Sequence, residues 1–230
     1  MPLHRPGSGR GRLSRDGVAA VHSFSAGEFV DRAWTGFGAL RVLAEETLAP
    51  GAAPPPQRRA NMRILTWVRC GALAWSDGAG EAGELYGGGV QLLDAGRGTE
   101  QVERNLSAES PVELVRLWLQ PAALNTPPRR LVGGVAPAAQ PGGWCPLLDD
   151  EALAPARASA ARVAPGEAIE LRLAPGRWTW LHVLHGRTAL GAQALAAGDA
   201  VGWADEPGVH ALAALDGPLE LLRIEVPAPA

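Results

Sequence analysis

Two short stretches of the chain carry polar side chains at a spacing that suits a shared pocket. Gln57, Arg59 and Arg63 fall on alternate positions, and so do Gln101 and Glu103. Because side chains alternate between the two faces of a strand, an uninterrupted strand would direct the first three to one face, and the last two share a face likewise. Arg and carboxylate form charge-assisted hydrogen bonds, so Arg59 or Arg63 is expected to pair with Glu103 if the fold brings the two stretches together.

The same residue types are poor ligands for a divalent first-row metal ion. Such ions prefer imidazole, thiolate or carboxylate ligands. Gln offers only a neutral carbonyl oxygen, and Arg is cationic with no lone pair to give. With Glu103 as the one carboxylate in the set, the sequence predicts no tight metal site and no cofactor.

The composition is that of an ordinary globular chain, and it disfavours several classes of partner. A formal net charge of −3 over 230 residues lacks the basic character of a nucleic-acid binder. The 21 basic residues are all Arg, which indicates a GC-rich genome. Two cysteines, Cys70 and Cys145, are too few for a disulfide framework. No apolar stretch reaches membrane-spanning length, and the basic N-terminus lacks the apolar segment of a signal peptide, so we expect a cytoplasmic protein without a membrane partner.

Frequent Gly and Pro residues divide the chain into short apolar runs, which is typical of many strands joined by turns. The runs predicted as strands are Met62–Leu73, Gly87–Leu93, Val112–Gln120, Ile169–Leu173, Trp178–Leu184 and Leu219–Val226. Trp67 alternates with Arg63, so we expect it to line the same pocket. The Ala-rich segment 149–163 contains Pro155, which argues against a continuous helix, and we predict irregular or strand structure there.

A weak internal repeat indicates two related halves. Val68-Arg-Cys-Gly followed by Gly87-Gly-Gly-Val parallels Val183-Leu-His-Gly followed by a Gly198-Asp199 turn. Each half thus contains a strand that ends in a glycine turn, with a second turn after it. The Pro/Gly/Ala-rich segment 126–143 is the natural boundary between them, which predicts two related β-barrels.

Four segments of the first half, spread over residues 22–121, follow a recognisable pattern. They are His22-Ser-Phe-Ser-Ala, Gly36-Phe-Gly-Ala-Leu-Arg-Val, Pro50-Gly51 and Asp94-Ala-Gly-Arg-Gly-Thr-Glu-Gln-Val-Glu-Arg-Asn105. This pattern resembles the pirin family of bicupins, which includes bacterial quercetin 2,3-dioxygenase-like proteins. The resemblance implies an all-β bicupin with two barrels, which we divide as an N-terminal cupin domain at 1–130 and a C-terminal one at 131–230.

The resemblance also implies what has changed at the site. The family holds a divalent metal ion with three His and one Glu, and the matching positions here are Gln57, Arg59, Gln101 and Glu103. Only Glu103 keeps the family residue, and Arg63 stands where cupins in general place a ligand Glu. If the cupin register holds, all these side chains point into one barrel.

The favoured hypothesis is a bicupin that binds a small organic molecule in its N-terminal barrel. Two extensions of this hypothesis are that the molecule is aromatic and that the protein transforms it without a metal ion. Glu103 and Arg59 are then the candidate catalytic residues, and Gln57, Arg63, Gln101 and Trp67 the candidate ligand-binding residues. Three alternatives stay open: a non-catalytic regulatory or protein-binding role, a metal-dependent quercetinase-like oxygenase, and an Arg–Glu pair that merely fills space. We expect a small-molecule partner, no nucleic acid, and a monomer or weak oligomer.

Overall fold

Short antiparallel strands make up nearly all of the regular secondary structure in the described part of the chain. The computed structural model describes residues 2–133 and 143–228. Within them, helical structure is limited to a 3-10 turn at Gly7–Gly9 and one turn of α-helix, α1, at Asp150–Leu153. The carboxylate of Asp149 caps α1 by accepting a hydrogen bond from the backbone N–H of Glu151. No helix in this part of the chain is long and apolar enough to cross a bilayer.

The strands are numbered along the chain. Before residue 134 they are β1 (Leu3–Arg5), β2 (Gly11–Arg15), β3 (Val18–His22), β4 (Leu40–Leu48), β5 (Gln57–Arg59), β6 (Arg63–Cys70), β7 (Ala72–Asp77), β8 (Ala82–Tyr86), β9 (Val90–Asp94), β10 (Thr99–Asn105), β11 (Val112–Leu119) and β12 (Arg129–Gly133). After residue 142 they are β13 (Cys145–Pro146), β14 (Arg157–Val163), β15 (Ala168–Leu173), β16 (Arg177–His185), β17 (Arg187–Leu190), β18 (Gln193–Ala196), β19 (Ala200–Ala204), β20 (Gly208–Ala213) and β21 (Leu219–Pro227).

Every segment that the sequence predicted as a strand contains one, with two differences in detail. The run 62–73 is interrupted because the chain turns at Gly71, so β6 ends at Cys70 and β7 begins at Ala72. In the segment 149–163, the prediction missed α1 and found β14. Four residues of helix fit before Pro155 because Asp149 caps them, and the proline lies beyond their end.

The N-terminal unit, residues 11–133, consists of two sheets packed face to face. The larger has the strand order β12-β9-β6-β11-β4-β3-β2, and the smaller has the order β5-β10-β7-β8. Apolar side chains from both sheets form a buried cluster of Leu48, Val68, Leu73, Trp75, Leu85, Val112 and Leu114. A second buried cluster on the larger sheet contains Ile64, Leu93 and Ala95. Thr66 lies between Ile64 and Val68 on the same face of β6, so this position separates the two clusters.

The C-terminal unit comprises residues 2–10 and 143–228. Its six-stranded sheet has the order β1-β19-β16-β21-β14-β13, and two two-stranded sheets, β15-β20 and the hairpin β17-β18, complete it. The first residues belong here because Leu3 of β1 pairs with Gly202 of β19. The sequence-based division at 130/131 therefore places residues 2–10 in a different unit from the structure, because that pairing leaves no local signal. Of the predicted boundary segment, residues 129–133 form β12, and 134–142 lie outside the described residues.

The predicted repeat appears in the backbone hydrogen bonds of both units. In each unit, the backbone N–H of a valine near the end of a long strand donates to the carbonyl of one residue in a later turn. The carbonyl of the same valine accepts from the N–H of the preceding turn residue. The bonds are Val68 N–H to Gly89 C=O (2.9 Å), Gly88 N–H to Val68 C=O (2.7 Å), Val183 N–H to Asp199 C=O (2.9 Å) and Gly198 N–H to Val183 C=O (2.8 Å). The two halves therefore share local architecture at equivalent positions.

The strand-ending turns of the two units need glycine for the same reason. Gly71 has φ of 87° and Gly186 has φ of 82°, a region that side chains with a Cβ rarely adopt. A Cβ atom would also lie 2.8 Å from the carbonyl oxygen of Pro111 in the first case and 2.3 Å from that of Pro218 in the second. Both the backbone conformation and the close approach of a neighbouring strand therefore exclude other residues.

Candidate functional site

Glu103, on β10 of the smaller sheet, binds a cation that comes from the larger sheet. Arg116 of β11 donates to both of its oxygens, from Nη1 to Oε1 at 3.1 Å and from Nη2 to Oε2 at 2.8 Å. Gln101 adds a third hydrogen bond, from Nε2 to Oε1 at 2.7 Å. The ion-pair partner of Glu103 is therefore Arg116, and the predicted pairing with Arg59 or Arg63 is wrong.

Arg116 binds a second carboxylate with another edge of its guanidinium group. Its Nε lies 3.2 Å and 3.1 Å from the two carboxylate oxygens of Glu46 on β4. Its Nη1 also donates to the hydroxyl oxygen of Thr66 at 3.1 Å. We call this group of four residues, Arg116, Glu46, Thr66 and Glu103, the Arg116 clamp. It joins three strands of the larger sheet to β10 of the smaller one.

The clamp is nearly closed to solvent, and this decides its electrostatics. Only 6% of Arg116 is exposed, and the side chains of Glu46 and Glu103 are 14% and 13% exposed. Burial opposes the charge on Arg116, but the two carboxylates and their hydrogen bonds outweigh it and raise the pKa of Arg116 above its usual range. The guanidinium therefore stays cationic, and either carboxylate left without it would be a buried, unpaired charge.

Strand alternation and small neighbours explain how Arg116 fits inside. Leu114, Arg116 and Trp118 alternate along β11 and share its inner face. On the flanking strands, Arg116 lies opposite Ala44 of β4 and Thr66 of β6. Neither neighbour is large, so the guanidinium has room between the strands to reach both carboxylates.

Arg59 lies on the same side as the clamp but binds none of its carboxylates. On β5 it is paired with Thr99 of β10, and its guanidinium carbon lies 4.6 Å from the centre of the Trp118 ring. Burial, followed by repulsion from Arg116, lowers its pKa, against the attraction of Glu103 and Glu46. Arg59 therefore lies over an indole ring and beside a second cation, Arg116, so an added negative charge would stabilise it.

Gln57 and Gln101 are cross-strand neighbours with different surroundings. Gln57 of β5 is paired with Gln101 of β10, so both side chains leave the backbone on the same face of the sheet. Gln101 is 3% exposed and donates to Glu103, as described above. Gln57 is exposed, and its amide nitrogen donates to the backbone oxygen of Pro55 at 3.1 Å. The structure therefore brings Gln101 into the site and leaves Gln57 at its edge.

Arg63 and Trp67 do not face this site, contrary to the prediction. The strand is interrupted after β5, where Asn61 has φ of 52°, and β6 then begins at Arg63. Because Thr66 of β6 faces Arg116, the odd-numbered residues of β6 face the other way. Arg63 instead places its Nε 3.8 Å from a carboxylate oxygen of Asp94. Alternation failed as a guide here because it assumed an unbroken strand.

These residues do not fit a divalent metal ion. In residues 2–133 and 143–228, no group of three or more His, Cys, Asp or Glu side chains is arranged to hold one. At the four positions of interest, the one carboxylate already accepts three hydrogen bonds, and Arg59 is a cation. A metal ion would have to displace Arg116 from Glu103 and would then find amide oxygens as its remaining ligands.

Two family models match the chain. Residues 7–119 match the model described as Pirin, and residues 154–226 match the model described as Quercetinase C-terminal cupin domain. The chain belongs to the pirin family. Its two units correspond to the N- and C-terminal cupin domains of an all-β bicupin, which confirms the fold predicted from the sequence.

Curated relatives match about half of the chain. A pirin-like protein of Caulobacter vibrioides is 33% identical over 111 residues, which are 48% of this chain and 47% of that protein. The quercetin 2,3-dioxygenase of Escherichia coli is 28% identical over 125 residues, 54% of either protein. The matched part therefore spans about half the length of these relatives.

Solved pirin structures share the fold over the whole chain. The crystal structure of YhhW from Escherichia coli has a TM-score of 0.89 at 22% identity and covers 100% of this chain and 99% of that one. The structure of bacterial pirin YhhW in complex with nickel(II) has a TM-score of 0.88 at 23% identity, with full coverage of both chains. At this level of identity, the likeness establishes the fold.

Arg116 was not identified from the sequence as a site residue. Its signal was present, because β11 reads Val112-Glu-Leu-Val-Arg-Leu-Trp-Leu, and Arg116 interrupts the apolar face formed by Leu114 and Trp118. A charge on such a face indicates a buried partner. Which residue is that partner depends on how the two sheets pack, and the spacing of residues along the chain does not reveal it.

Two cavities that share residues lie beside β5 and β10 of this pirin fold. The larger has a volume of about 690 Å³ and the smaller about 500 Å³. Residues common to both are Gly78, Gly98, Thr99 and Glu100. The smaller is also lined by Arg59, and the larger by Arg130, so each contains a partly buried guanidinium.

Proposed function

We propose that the N-terminal unit binds a small organic molecule and does so without a catalytic metal ion. The Arg116 clamp is the observation that carries this proposal. Glu103, the one family ligand that is retained, accepts hydrogen bonds from a permanent cation on both oxygens. The guanidinium of Arg116 supplies the positive charge beside Glu103 that a metal ion would supply in the family's usual site.

The names of the relatives suggest a different activity, which the site supports less well. One curated relative is a quercetin 2,3-dioxygenase, and a solved relative contains nickel(II). In this chain, Arg116 holds Glu103, and Arg59 adds a second positive charge nearby. Both cations repel a divalent ion, so the arrangement supports ligand binding rather than metal-dependent oxygenation.

The two cavities beside β5 and β10, one lined by Arg59 and the other by Arg130, support a small-molecule ligand. Their volumes fall within the range of about 300–1,000 Å³ that is usual for ligand sites. The proposal assigns Glu103 to holding Arg116 in place and assigns it no proton transfer, because its oxygens already accept three hydrogen bonds. Arg59 lines the smaller cavity and is the predicted site residue that a ligand there would contact.

Metal content and quercetin turnover test the metal-free part of the proposal. After incubation with Ni²⁺, Fe²⁺ or Mn²⁺ and removal of the free ion, we expect far less than one ion per chain and no quercetin turnover. A stoichiometric ion or turnover in the unsubstituted chain would contradict the proposal. Saturation-transfer NMR with cationic, neutral and anionic aromatic fragments tests ligand binding, and the absence of binding by all three classes would refute it.

A matched pair of variants isolates the contribution of Arg116. The triple variant Gln57→His/Arg59→His/Gln101→His restores the family's ligand types, and a second chain adds Arg116→Gln. We expect only the second to retain Ni²⁺ in stoichiometric amount, because only there is Glu103 released from the guanidinium. Equal retention of Ni²⁺ by the two variants would show that the clamp does not block the metal.

A further inference from the structure

Several hydrogen-bond donors inside the N-terminal unit have no acceptor, and they point to the class of ligand. We propose that the ligand is an organic oxyanion, a carboxylate or phosphate ester, bound by Arg130 and Gln91, with Arg59 as a second cation in the adjoining cavity. This inference rests on the proposed function and narrows it to one chemical class. It concerns different side chains from those of the Arg116 clamp, so the two can be tested separately.

Gln91 is a fully buried residue with an unused donor. It lies on β9 opposite Thr66 of β6, so it shares the inner face with the clamp. Its Oε1 accepts a hydrogen bond from Nη1 of Arg130 at 2.9 Å, and its Nε2 finds no acceptor. Exchanging the amide oxygen and nitrogen of Gln91 would not solve this, because Arg130 can only donate and therefore needs the oxygen as its acceptor. A buried amide N–H left unpaired is costly, and an acceptor from a ligand would remove that cost.

Arg130 contributes two more unused donors. It lies on β12, with its guanidinium carbon 4.0 Å from the centre of the Trp75 ring. Its Nε and Nη2 are buried and make no hydrogen bond in the described part of the chain. Burial lowers the pKa of Arg130, and the charges of Asp77, Glu103 and Glu81 oppose that shift without forming an ion pair there.

The acidic residues around Arg130 are engaged elsewhere or exposed. Asp77 turns Oδ1 to its own loop, where it accepts from the backbone N–H groups of Ala79 and Glu81 at 2.9 Å and 3.0 Å. Glu103 is held by Arg116. Glu81 is exposed to solvent. Arg130 is therefore a desolvated cation whose nearby carboxylates do not satisfy its Nε and Nη2 donors.

Arg59 provides a second cation of the same kind. No hydrogen bond or ion pair joins its guanidinium group to residues 2–133 or 143–228, and the one aromatic contact of that group is with Trp118. A guanidinium whose carbon lies over an indole ring keeps the N–H groups at its edge available for other partners. Arg130 on Trp75 has the same arrangement. In-plane N–H pairs are the geometry that binds a carboxylate or phosphate with two parallel hydrogen bonds.

The probes that test this inference are benzoate, phenyl phosphate and neutral benzamide, each titrated into the full-length protein by calorimetry or ligand-detected NMR. We expect both anions to bind, and benzamide to bind about ten-fold more weakly or worse, since a hydrogen bond to a charged group contributes about 1.5–3 kcal/mol. The response to benzoate against phenyl phosphate then distinguishes a carboxylate site from a phosphate site.

The variants Arg130→Gln and Arg59→Gln remove each cation in turn, and Arg104→Gln and Arg32→Gln are controls at exposed positions that line neither cavity. We expect each inner variant to lose about ten-fold or more in anion affinity. The controls should change it by about two-fold or less, as for exposed charges. Circular dichroism confirms folding, and Arg130→Lys, which keeps the charge, should retain part of the affinity.

Three results would overturn the oxyanion class: benzamide binding as tightly as benzoate, inner variants that behave like the controls, or no binding of either anion. The first of these leaves small-molecule binding itself intact. A failure of the proposed function would appear differently, as stoichiometric metal, quercetin turnover or the absence of binding by fragments of every charge.

Discussion

Substitution of Arg116 by Met tests the central feature of the site. Met keeps an unbranched apolar side chain at the position but removes the cation and its five hydrogen-bond contacts. Glu46 and Glu103, each less than one-sixth exposed, are then left without a counter-charge. The substitution therefore creates two buried, unpaired carboxylates from one lost guanidinium.

The expected loss of stability follows from that burial. Removal of one partner from a buried ion pair costs about 3–5 kcal/mol, and here one residue serves two carboxylates, so we expect a value near the upper end. Since small domains are stable by only about 5–15 kcal/mol, the variant should unfold at a much lower urea concentration. The triple variant Arg116→Met/Glu46→Gln/Glu103→Gln removes the stranded charges and should recover most of the loss.

The measurement is urea unfolding at neutral pH, followed by circular dichroism and by tryptophan fluorescence. Because the chain has two units, both probes are needed to separate their transitions. The control is Arg104→Met, since Arg104 is an exposed neighbour of Glu103 on the same strand. Its substitution should change the free energy of unfolding by about 0.5 kcal/mol or less.

Two results would refute the reasoning about the clamp. If Arg116→Met costs no more than Arg104→Met, the guanidinium is not balancing buried charge. If the triple variant is as unstable as Arg116→Met alone, the loss comes from packing around the missing side chain and not from unpaired carboxylates. Either outcome would also weaken the proposal that Arg116 has replaced the metal ion.

Two further predictions concern the fold and a surface titration. Gly186→Ala should destabilise the C-terminal unit by about 1–3 kcal/mol or more in urea unfolding, because of the positive φ and the close contact with Pro218. The control is Gly208→Ala, whose added Cβ meets no backbone atom within 4 Å. Equal losses of stability in the two variants would contradict the requirement for glycine at position 186. Tyr86 donates to Glu84, which raises its pKa above the usual value near 10; ultraviolet titration of this single tyrosine should show a high midpoint that falls in Glu84→Gln, and an unchanged midpoint would exclude the hydrogen bond.

The strands and their turns were predictable because the signals for them are local. Gly and Pro residues end strands through their own backbone preferences, and each predicted segment contains a strand. The repeat was predictable for the same reason, since Gly71 and Gly186 each need a positive φ. The loss of the family's three histidines was likewise visible in the residues themselves.

The arrangement of the site was only partly predictable from spacing. Arg59, Gln101 and Glu103 do lie on one side, because β5 and β10 pair within one sheet. Arg63 is excluded because the chain leaves the strand conformation at Asn61, where φ is positive, and a single interruption reverses the face on which later residues lie. Trp67 was misplaced by the same error.

By itself, the sequence determined that the chain forms two β-rich halves, and it shows Gln57, Arg59 and Gln101 where the resemblance to pirins implies metal-binding histidines. These conclusions depend on composition, turns and residue types, all of which act locally. Only the tertiary structure decided that Arg116 pairs with Glu103, since the two lie on different sheets and meet when those sheets pack. It also decided that β1 joins the C-terminal unit, because pairing between distant strands depends on how the whole chain folds.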